Sequence, residues 1–542
     1  MGRGRGRGGR GRNGGGRGGD RGRDQGPNQR GSYDHTPTNN DTFEAFYKAQ
    51  NILTPEEWEQ NMESLRTPLP TNFRFTGSKA NATKLLELMK KNYFPSVQDI
   101  EIDGEKIPPP QNLPWYPNNF GWQYKPTRSA IRSHEGIKKF HEFLMAETEC
   151  GNVSRQEAVS MIPPLLLDVQ PGHYVLDMCA APGSKTAQLI ENVQSNNEVL
   201  PAGLVIANDA DYKRAFMLVK QSKRLQSPCL IVTNHEAQFL PYIYFTPKGE
   251  EPVDGERALQ FDRILCDVPC CGDGTLRKNK MIWRSWHQSN GNSLNKIQLA
   301  ILLRAIHFLK VGGRVVYSTC TFNPVENEAV VAAALNKCGT AIKLLDVSKQ
   351  LPALKRRPGI SNWKVMDPEG TMHDSYDTVP DKYKDKKLYA ECFPPANAAE
   401  LNLERCLRIV PFDQDTGAFF VAVFEKVEPF GGLDKPAAPV GDGTKRKVEE
   451  TEAEPSDGKR VQLENNEEPA EKKKSAAAWE GKNEEPFVFV SKEHADVTSV
   501  VDFWVSKFSR ESEKPLRATI FPTVFQRRAS PHWPPFSQTS VS

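Results

Sequence analysis

YVLDMCAAPGSKT, residues Tyr174 to Thr186, is the stretch whose reading decides the fold. Tyr174 to Met178 has the length and apolar character of a buried strand, and a tight loop with Pro182 and Gly183 follows. A helix is expected to start at Ser184, whose hydroxyl could accept from a backbone N–H left unpaired in the first turn. Gly183 carries no Cβ to hold the backbone away from a ligand. This geometry implies a small-molecule pocket at the carboxyl end of a first parallel strand. A Walker loop, G-x-x-x-x-G-K-[ST], fits poorly: Met178 stands where its first glycine belongs, and Ser184 separates Gly183 from Lys185. Without those glycines the loop N–H groups cannot wrap a triphosphate. A G-x-G-x-x-G fingerprint is also absent. Asp177, near the strand end, would repel a pyrophosphate and suits a cationic or zwitterionic ligand. S-adenosylmethionine, with a sulfonium and an ammonium group, fits this loop better than NAD or ATP.

Outward from this stretch, residues 151–430 alternate strand and helix. Strands are expected at Tyr174–Met178, Leu204–Asn208, Leu230–Thr233, Arg263–Asp267 and Arg314–Thr319, and helices at Lys185–Val193, Lys213–Arg224, Leu294–Leu309 and Val325–Asn336. Strands separated by helical patterns imply a parallel sheet with right-handed crossovers. Leu407–Val410 and Ala418–Phe424, joined through Asp413 to Gly417, read as a closing hairpin. The fold class is α/β: a Rossmann-like sheet ending in an antiparallel hairpin, as in a class I S-adenosylmethionine-dependent methyltransferase, with an N-terminal α/β extension and disordered tails.

The fourth strand is followed by Asp267-Val268-Pro269-Cys270-Cys271-Gly272-Asp273-Gly274-Thr275, and the fifth ends in Tyr317-Ser318-Thr319-Cys320. Adjacent parallel strands open their carboxyl ends into one crevice, so Cys270 and Cys320 should lie near one another and near the first loop. Carbon 5 of cytosine is a poor nucleophile. A thiolate added at carbon 6 makes it enamine-like and able to attack a sulfonium methyl. Asp267 could sit near ring nitrogen N3, and burial could keep its carboxyl protonated. The base must leave any stack to reach such a pocket, so flipping or a single-stranded target is implied. The bland reading of a strand-end cysteine is a small buried hydrophobe. Zinc is disfavoured because Cys266, Cys270 and Cys271 lack C-x-x-C pairing and a nearby histidine. Cys266 alternates toward the sheet interior, and Cys271 reads as incidental. These considerations leave the nucleophile open between Cys270 and Cys320.

The chain has 542 residues, enough for two or three domains; it is 38% hydrophobic and 26% charged, and its net charge is only +3. Nucleic-acid affinity must therefore come from local patches. The Gly- and Arg-rich start leads us to expect no signal peptide, and the sequence contains no apolar run of about 18 residues. Ten scattered cysteines suit a reducing compartment better than a disulfide scaffold. Residues 1–39 form an Arg/Gly-rich tail; the first 31 carry nine Arg, fourteen Gly and two Asp, which predicts disorder and RNA contact. Residues 40–150 read as an N-terminal RNA-binding extension, with a helix start at Thr54-Pro55-Glu56-Glu57, a helix over Lys84–Lys91 and a strand entered at Leu69–Phe75. Phe140 to Met145 reads as a helix continuing into the central domain. Trp115, Tyr116, Phe120, Trp122 and Tyr124, followed by Arg128 and Arg132, could stack bases, but for most of these rings domain packing is the stronger reading. Residues 431–485 are a disordered charged linker. Its clusters Lys445-Arg446-Lys447 and Lys459-Arg460 suggest nuclear import, with nucleolar and some cytoplasmic residence also expected. Residues 486–542 resume apolar patterning, at Phe487 to Val490 and Val500 to Phe508, as a partial C-terminal region.

DMCAAPGSKT, CDVPCCGDGT and YSTC, in this order, resemble the Nop/Sun family of RNA cytosine-5 methyltransferases. RQEAVSMIPP at Arg155–Pro164 is similar to the family segment before the first strand, and FRFTGSKANA resembles the multisite tRNA cytosine-5 methyltransferase branch. The resemblance covers about residues 40–430. It implies that Cys320 is the nucleophile and that Cys270 assists product release. It also implies that Cys179, Ala180, Ala181, Pro182, Gly183, Ser184 and Lys185 line S-adenosylmethionine. Asp209 would hold the ribose hydroxyls, Glu236 would lie near the adenine where the family commonly has Asp, and Asp267 would face donor and base. The substrate implied is tRNA, with mRNA and other non-coding RNA as further targets. Cys271 departs from the family's usual Ser, and the resemblance leads us to expect a shortened form of that branch's C-terminal RNA-binding region. Arg277, Lys278, Lys280 and Arg284, just after the catalytic loop, are expected to hold phosphates. The rival readings are an RNA-binding scaffold with an inactive methyltransferase fold and a P-loop NTPase. No metal is expected, and a monomer is the default oligomeric state.

Overall fold

Residues 37–77, 80–102, 104–126, 128–195, 201–244 and 258–431, with the strand Phe487–Val488, are described by the computed structural model. The Arg/Gly tail up to residue 36, both basic clusters of the linker, and the expected apolar segment at Val500 to Phe508 lie outside the described residues.

The main sheet of the described residues contains β1 (Tyr174–Asp177), β2 (Leu204–Asn208), β3 (Leu230–Thr233), β4 (Phe261–Asp267), β5 (Leu309–Thr319), β6 (Ile342–Leu344), β7 (Arg357–Pro358), β8 (Leu407–Ile409) and β9 (Phe419–Lys426). The order is β3-β2-β1-β4-β5-β9-β8-β7, with β6 also on β9. Strands β1 to β5 are mutually parallel. Strand β9 runs antiparallel to β5, β6 and β8. The chain builds outward in both directions from β1, so a crevice opens at the carboxyl ends of β1, β2, β4 and β5.

Alternation along each strand sorts the core into two layers. Val175, Val205, Leu265 and Val316 face one layer, with Leu189 and Ile190 of α1 (Ser184–Val193) and Leu166 and Leu167 of the helix Ile162–Leu167. Leu176, Ile206, Ile264, Cys266, Val315 and Tyr317 face the other, with Leu302 and Ile306 of α3 (Gln288–Phe308) and Val330 and Val331 of α4 (Glu328–Cys338). Helix α2 (Tyr212–Ser222) follows β2 and packs Leu218 against Ala180, Ala181 and Ala207. The expected closing hairpin is present as an antiparallel pair, with the short helix Pro411–Gln414 in its connection.

Two local expectations are corrected. Gly183, with φ of 110°, is itself the residue preceding α1, and Ser184 is the first helical residue and makes no capping bond. A Cβ on Gly183 would lie 2.8 Å from Cδ1 of Leu218, so the left-handed turn and the approach of α2 both require glycine here. The helix Glu135–Glu149 turns Phe140 and Phe143 into the N-terminal core rather than toward the main sheet.

The N-terminal part divides in two. A small antiparallel sheet, in the order Gln111–Asn112, Gly121–Tyr124, Thr71–Phe75, Val153–Arg155, packs with Ala82–Asn92 and Glu135–Glu149 around Phe73, Phe75, Met89 and Phe140. Trp115, Phe120, Trp122 and Tyr124 are buried, which makes packing their role. Arg74 joins this sheet to α1 through a buried pair with Glu191, 2.8 and 2.7 Å to its two oxygens. Helices Asp41–Lys48 and Pro55–Arg66 behave differently from the rest of 40–150. Thr54 and Glu57 form a capping box around Pro55. Phe43, Phe46, Tyr47, Trp58 and Met62 then pack onto Leu276, Trp283, Trp286 and Met366, so these helices are a wall of the catalytic part rather than a separate extension. Phe487–Val488 pairs in parallel with Ile243–Tyr244.

Candidate active site

The cofactor side of the crevice is built by the ends of β1 and β2. Ala180 N donates to Asn208 O at 2.7 Å, which draws the loop after β1 across the end of β2. Asp209, buried after β2, accepts from Ala181 N at 3.1 Å and Asp211 N at 3.0 Å. Asp177 accepts from Thr186 Oγ1 at 2.7 Å through Oδ2, while its buried Oδ1 has no hydrogen-bond partner. Burial pushes the Asp177 carboxyl up to about 7, a rise opposed by the Thr186 bond and reinforced by Asp267. Glu236 is exposed and takes the Gln238 amide at 2.7 Å, so it lies on the rim, apart from the buried acids.

The thiol side is built by β4 and β5. Cys270 Sγ and Cys320 Sγ are 3.3 Å apart. Lys185, in the first turn of α1, reaches across the crevice and donates to Asp267 Oδ2 at 2.7 Å, with its ammonium 5.2 Å from the centre of the Phe419 ring. Ser318 Oγ donates to Asp267 Oδ1 at 2.8 Å. The sequence reading allowed a protonated Asp267. In the structure its two oxygens take the Lys185 ammonium and the Ser318 hydroxyl. Burial would lower the Lys185 ammonium, but Asp267, and then Cys320, outweigh it and hold the group above its ordinary value. Lys185 therefore brings positive charge toward Cys320. The Cys270 thiol is pushed well up, first by its hydrogen bond to Cys320, then by burial and by negative charge on Cys320. The two sulfurs share one close contact in which either thiol can be the donor.

Neither Cys271 nor Glu326 was singled out correctly from the sequence. Cys271 N donates to Glu326 Oε1 at 2.8 Å, and Cys271 Sγ lies 3.1 Å from Thr321 Oγ1, so this residue is tied into the site rather than incidental. Glu326 is fully buried, and burial pushes its carboxyl up to about 7. Its visible signal was an acid in NPVENE, six residues after Cys320, which reads equally as a helix start.

The expected phosphate cluster is only partly supported. Arg277 is buried and donates to Thr67 O (3.1 Å), Pro68 O (3.1 Å), Thr416 O (2.7 Å) and Asp415 Oδ1 (2.5 Å). Its guanidinium is committed to joining the N-terminal segment to the loop before β9, which excludes phosphate binding. Lys278 and Arg284 are exposed, and Lys280 is half-buried. Among the described residues no cluster of His, Cys, Asp and Glu suits a metal ion, and no helix is long and apolar enough to cross a membrane.

S-adenosylmethionine fits the residues present. Asp177, Asp209 and Asp267 line the crevice, with Lys185 paired to Asp267 and Arg214 3.6 Å from Asp209, and the buried Asp177 Oδ1 is an acceptor without a hydrogen-bond partner. Such a surface suits sulfonium and ammonium groups and opposes a polyphosphate. Five parallel strands in the order 3-2-1-4-5, extended by an antiparallel strand and carrying an acid at the end of β2, define a class I S-adenosylmethionine-dependent methyltransferase. A family model described as 16S rRNA methyltransferase RsmB/F matches residues 164–425. The chain is 43% identical over 491 residues to the multisite-specific tRNA:(cytosine-C(5))-methyltransferase trm4b of Schizosaccharomyces pombe, covering 86% of this chain and 70% of that one. It is 44% identical over 471 residues to the multisite-specific tRNA:(cytosine-C(5))-methyltransferase of Saccharomyces cerevisiae, covering 86% and 65%. It is 41% identical over 491 residues to the tRNA (cytosine(34)-C(5))-methyltransferase of Drosophila melanogaster, covering 87% and 64%. The chain belongs to the RsmB/F (Nop/Sun) family of RNA cytosine-C5 methyltransferases. It spans 70%, 65% and 64% of the lengths of these three relatives.

Proposed function

We propose that this chain methylates carbon 5 of cytosine in tRNA. The observation that carries the reading is the Cys270–Cys320 pair, 3.3 Å apart at the ends of neighbouring parallel strands, with Lys185 beside Cys320. The names of the three relatives support tRNA as substrate; mRNA and other non-coding RNA are further targets of the proposal, apart from those names.

S-adenosylmethionine supplies an electrophilic methyl group, held by the loop Cys179–Lys185 and by Asp209. Lys185 and the Cys270 thiol stabilise Cys320 as a thiolate. The Cys320 sulfur adds to carbon 6 of the flipped cytosine, and the electron pair released at carbon 5 forms the new bond to the methyl carbon as that carbon's bond to the sulfonium sulfur breaks, its electron pair staying on sulfur to leave a neutral thioether. The proton on carbon 5 then leaves to a base, the carbon 5–carbon 6 double bond reforms, and Cys320 departs as thiolate. Cys270, adjacent to the departing sulfur, serves this release. Asp267, between Lys185 and Ser318, faces both the donor and the base. Lys278, Lys280 and Arg284 hold RNA phosphates at the crevice. The linker clusters Lys445-Arg446-Lys447 and Lys459-Arg460 favour nuclear residence, with the nucleolus and some cytoplasm included.

The test supplies purified full chain with unmodified tRNA and methyl-labelled S-adenosylmethionine. Label recovered in 5-methylcytosine is expected. Label absent from cytosine, with tRNA binding retained, would favour the scaffold reading instead.

A further inference from the structure

The two thiols are anchored through different atoms. Cys320 follows β5 directly. Gly274 N donates to its carbonyl at 2.9 Å, and a Cβ on Gly274 would lie 2.7 Å from that oxygen. On either side, Thr319 Oγ1 donates to Asn327 Oδ1 at 2.5 Å and Asn327 Nδ2 to Thr321 O at 3.0 Å. None of these bonds involves the Glu326 side chain. Cys270 stands three residues beyond β4, and the bonds beside it converge on that side chain. Cys271 N donates to Glu326 Oε1 at 2.8 Å. Gln298 Nε2, from α3, donates both to Pro269 O at 2.9 Å and to Glu326 Oε1 at 3.0 Å. The Cys271 thiol reaches Thr321 Oγ1, which in turn lies 3.5 Å from Glu326 Oε2. Asn323 Nδ2 completes the set at 3.2 Å.

We propose that Glu326 is a positioning residue for product release: its carboxyl holds the Pro269–Cys271 turn so that the Cys270 thiol stays against Cys320. This inference rests on the cysteine chemistry proposed above and extends it to a residue that touches neither substrate nor donor. A fully buried carboxyl is costly unless surrounded by donors. Here the donors come from the Cys270 turn, the Cys320 loop and α3. Helix α3 approaches closely enough that a Cβ on Gly291 would lie 2.7 Å from Glu326 Oε2, which leaves no slack for the turn to be held differently. Negative charge on Glu326 also raises the Cys270 thiol, the direction that keeps its proton in place. Removing the clamp therefore frees the Cys270 turn, while the Cys320 loop loses only the Thr321 and Asn323 contacts to that carboxyl and keeps its ties to Gly274 and Asn327. Addition to cytosine and methyl transfer continue, and release slows.

The experiment uses the full chain as wild type, Glu326→Gln, Gln298→Ala, Cys270→Ala and Glu326→Gln/Cys320→Ala. Each is mixed with tRNA and S-adenosylmethionine, and steady-state methylation, S-adenosylmethionine affinity and the denaturation-resistant protein–RNA adduct are measured. Displacement of a reacting group by about 1 Å costs on the order of 100-fold, so Glu326→Gln should lose roughly 10- to 100-fold in turnover. It should also accumulate adduct, as Cys270→Ala does, and keep its donor affinity. The double variant should form no adduct. Gln298→Ala should move both readouts in the same direction by less, and it decides the matter if Glu326→Gln does not fold. Turnover at the wild-type rate, or loss of turnover with no adduct, would overturn the proposal. A failure of Cys270→Ala itself to form adduct would instead refute the underlying cysteine chemistry.

Discussion

Cys320 and Cys270 sit 3.3 Å apart, yet the strand β5 delivers one and a side-chain network holds the other. The position of Cys320 follows from sheet pairing: Ser318 and Thr319 are in register with Val421 and Phe420 of β9, and the next residue is the cysteine. The position of Cys270 follows from Gln298, Glu326 and Thr321, residues separated from it by 28 to 56 positions in the chain. The residue proposed for bond making is thus held by sheet pairing, and the one proposed for bond breaking by a side-chain network around Glu326.

Alanine at Cys320 breaks the comparison on the side of bond making. Removing a nucleophile on which all chemistry depends is expected to reduce methylation by on the order of 10⁴-fold or more, measured as label incorporated into tRNA. Lys185→Met sharpens the same side. Without the ammonium near Cys320 and Asp267, turnover should fall by roughly 100-fold, and adduct formation measured in a Cys270→Ala background should slow with it. Methylation and adduct formation at undiminished rates would separate Lys185 from thiolate stabilisation.

Outside the two thiols, Arg277 and its neighbours test which cations serve structure and which serve RNA. Arg277→Ala removes the donor to three carbonyl oxygens and leaves the half-buried Asp415 with Lys125 as its cationic partner, and should cost about 1 to 3 kcal/mol of stability, read from denaturant unfolding. Lys278→Glu, Lys280→Glu and Arg284→Glu together should leave stability nearly unchanged while weakening tRNA binding. The log–log salt slope should flatten by roughly 2 to 3 for the charges lost. An unchanged slope would remove these three from the RNA surface.

The smallest expected effect concerns pH. The Asp177 carboxyl rises from its ordinary value of 3.8 to about 7 in the folded chain, chiefly through burial. Between these values the native state binds more protons than the unfolded state, so this group's contribution to stability declines as pH rises through the window. Asp177→Asn should flatten the fall in stability between about pH 4 and pH 7, by roughly 1 to 3 kcal/mol across that range. Glu326, raised from 4.5 to about 7, acts with the same sign and should leave a residual slope in that variant.

What the sequence disclosed, and what it concealed, follows from how far each determinant lies from the residue it controls. The strand–loop–helix at Tyr174–Val193 was legible because an apolar run, a Pro-Gly turn and the amphipathic helix after it are all local signals. The thiols were legible as a pair because each ends a parallel strand. Arg277 was misread because nothing near it in the chain reveals that Thr67, Pro68 and Thr416 take its donors. The same distance hid Glu326, whose partners come from three separate segments. It also hid the docking of Asp41–Arg66 against Trp283 and Trp286, since an apolar helix face does not name the surface that will cover it.

The central claim is tested most directly by running Cys270→Ala and Cys270→Ala/Cys320→Ala, each with tRNA and S-adenosylmethionine, on a denaturing gel. The account predicts a slowly migrating protein–RNA band from the first variant and none from the second. A band of equal intensity from both would show that some other residue bonds to the pyrimidine, and the assignment of Cys320 would be wrong.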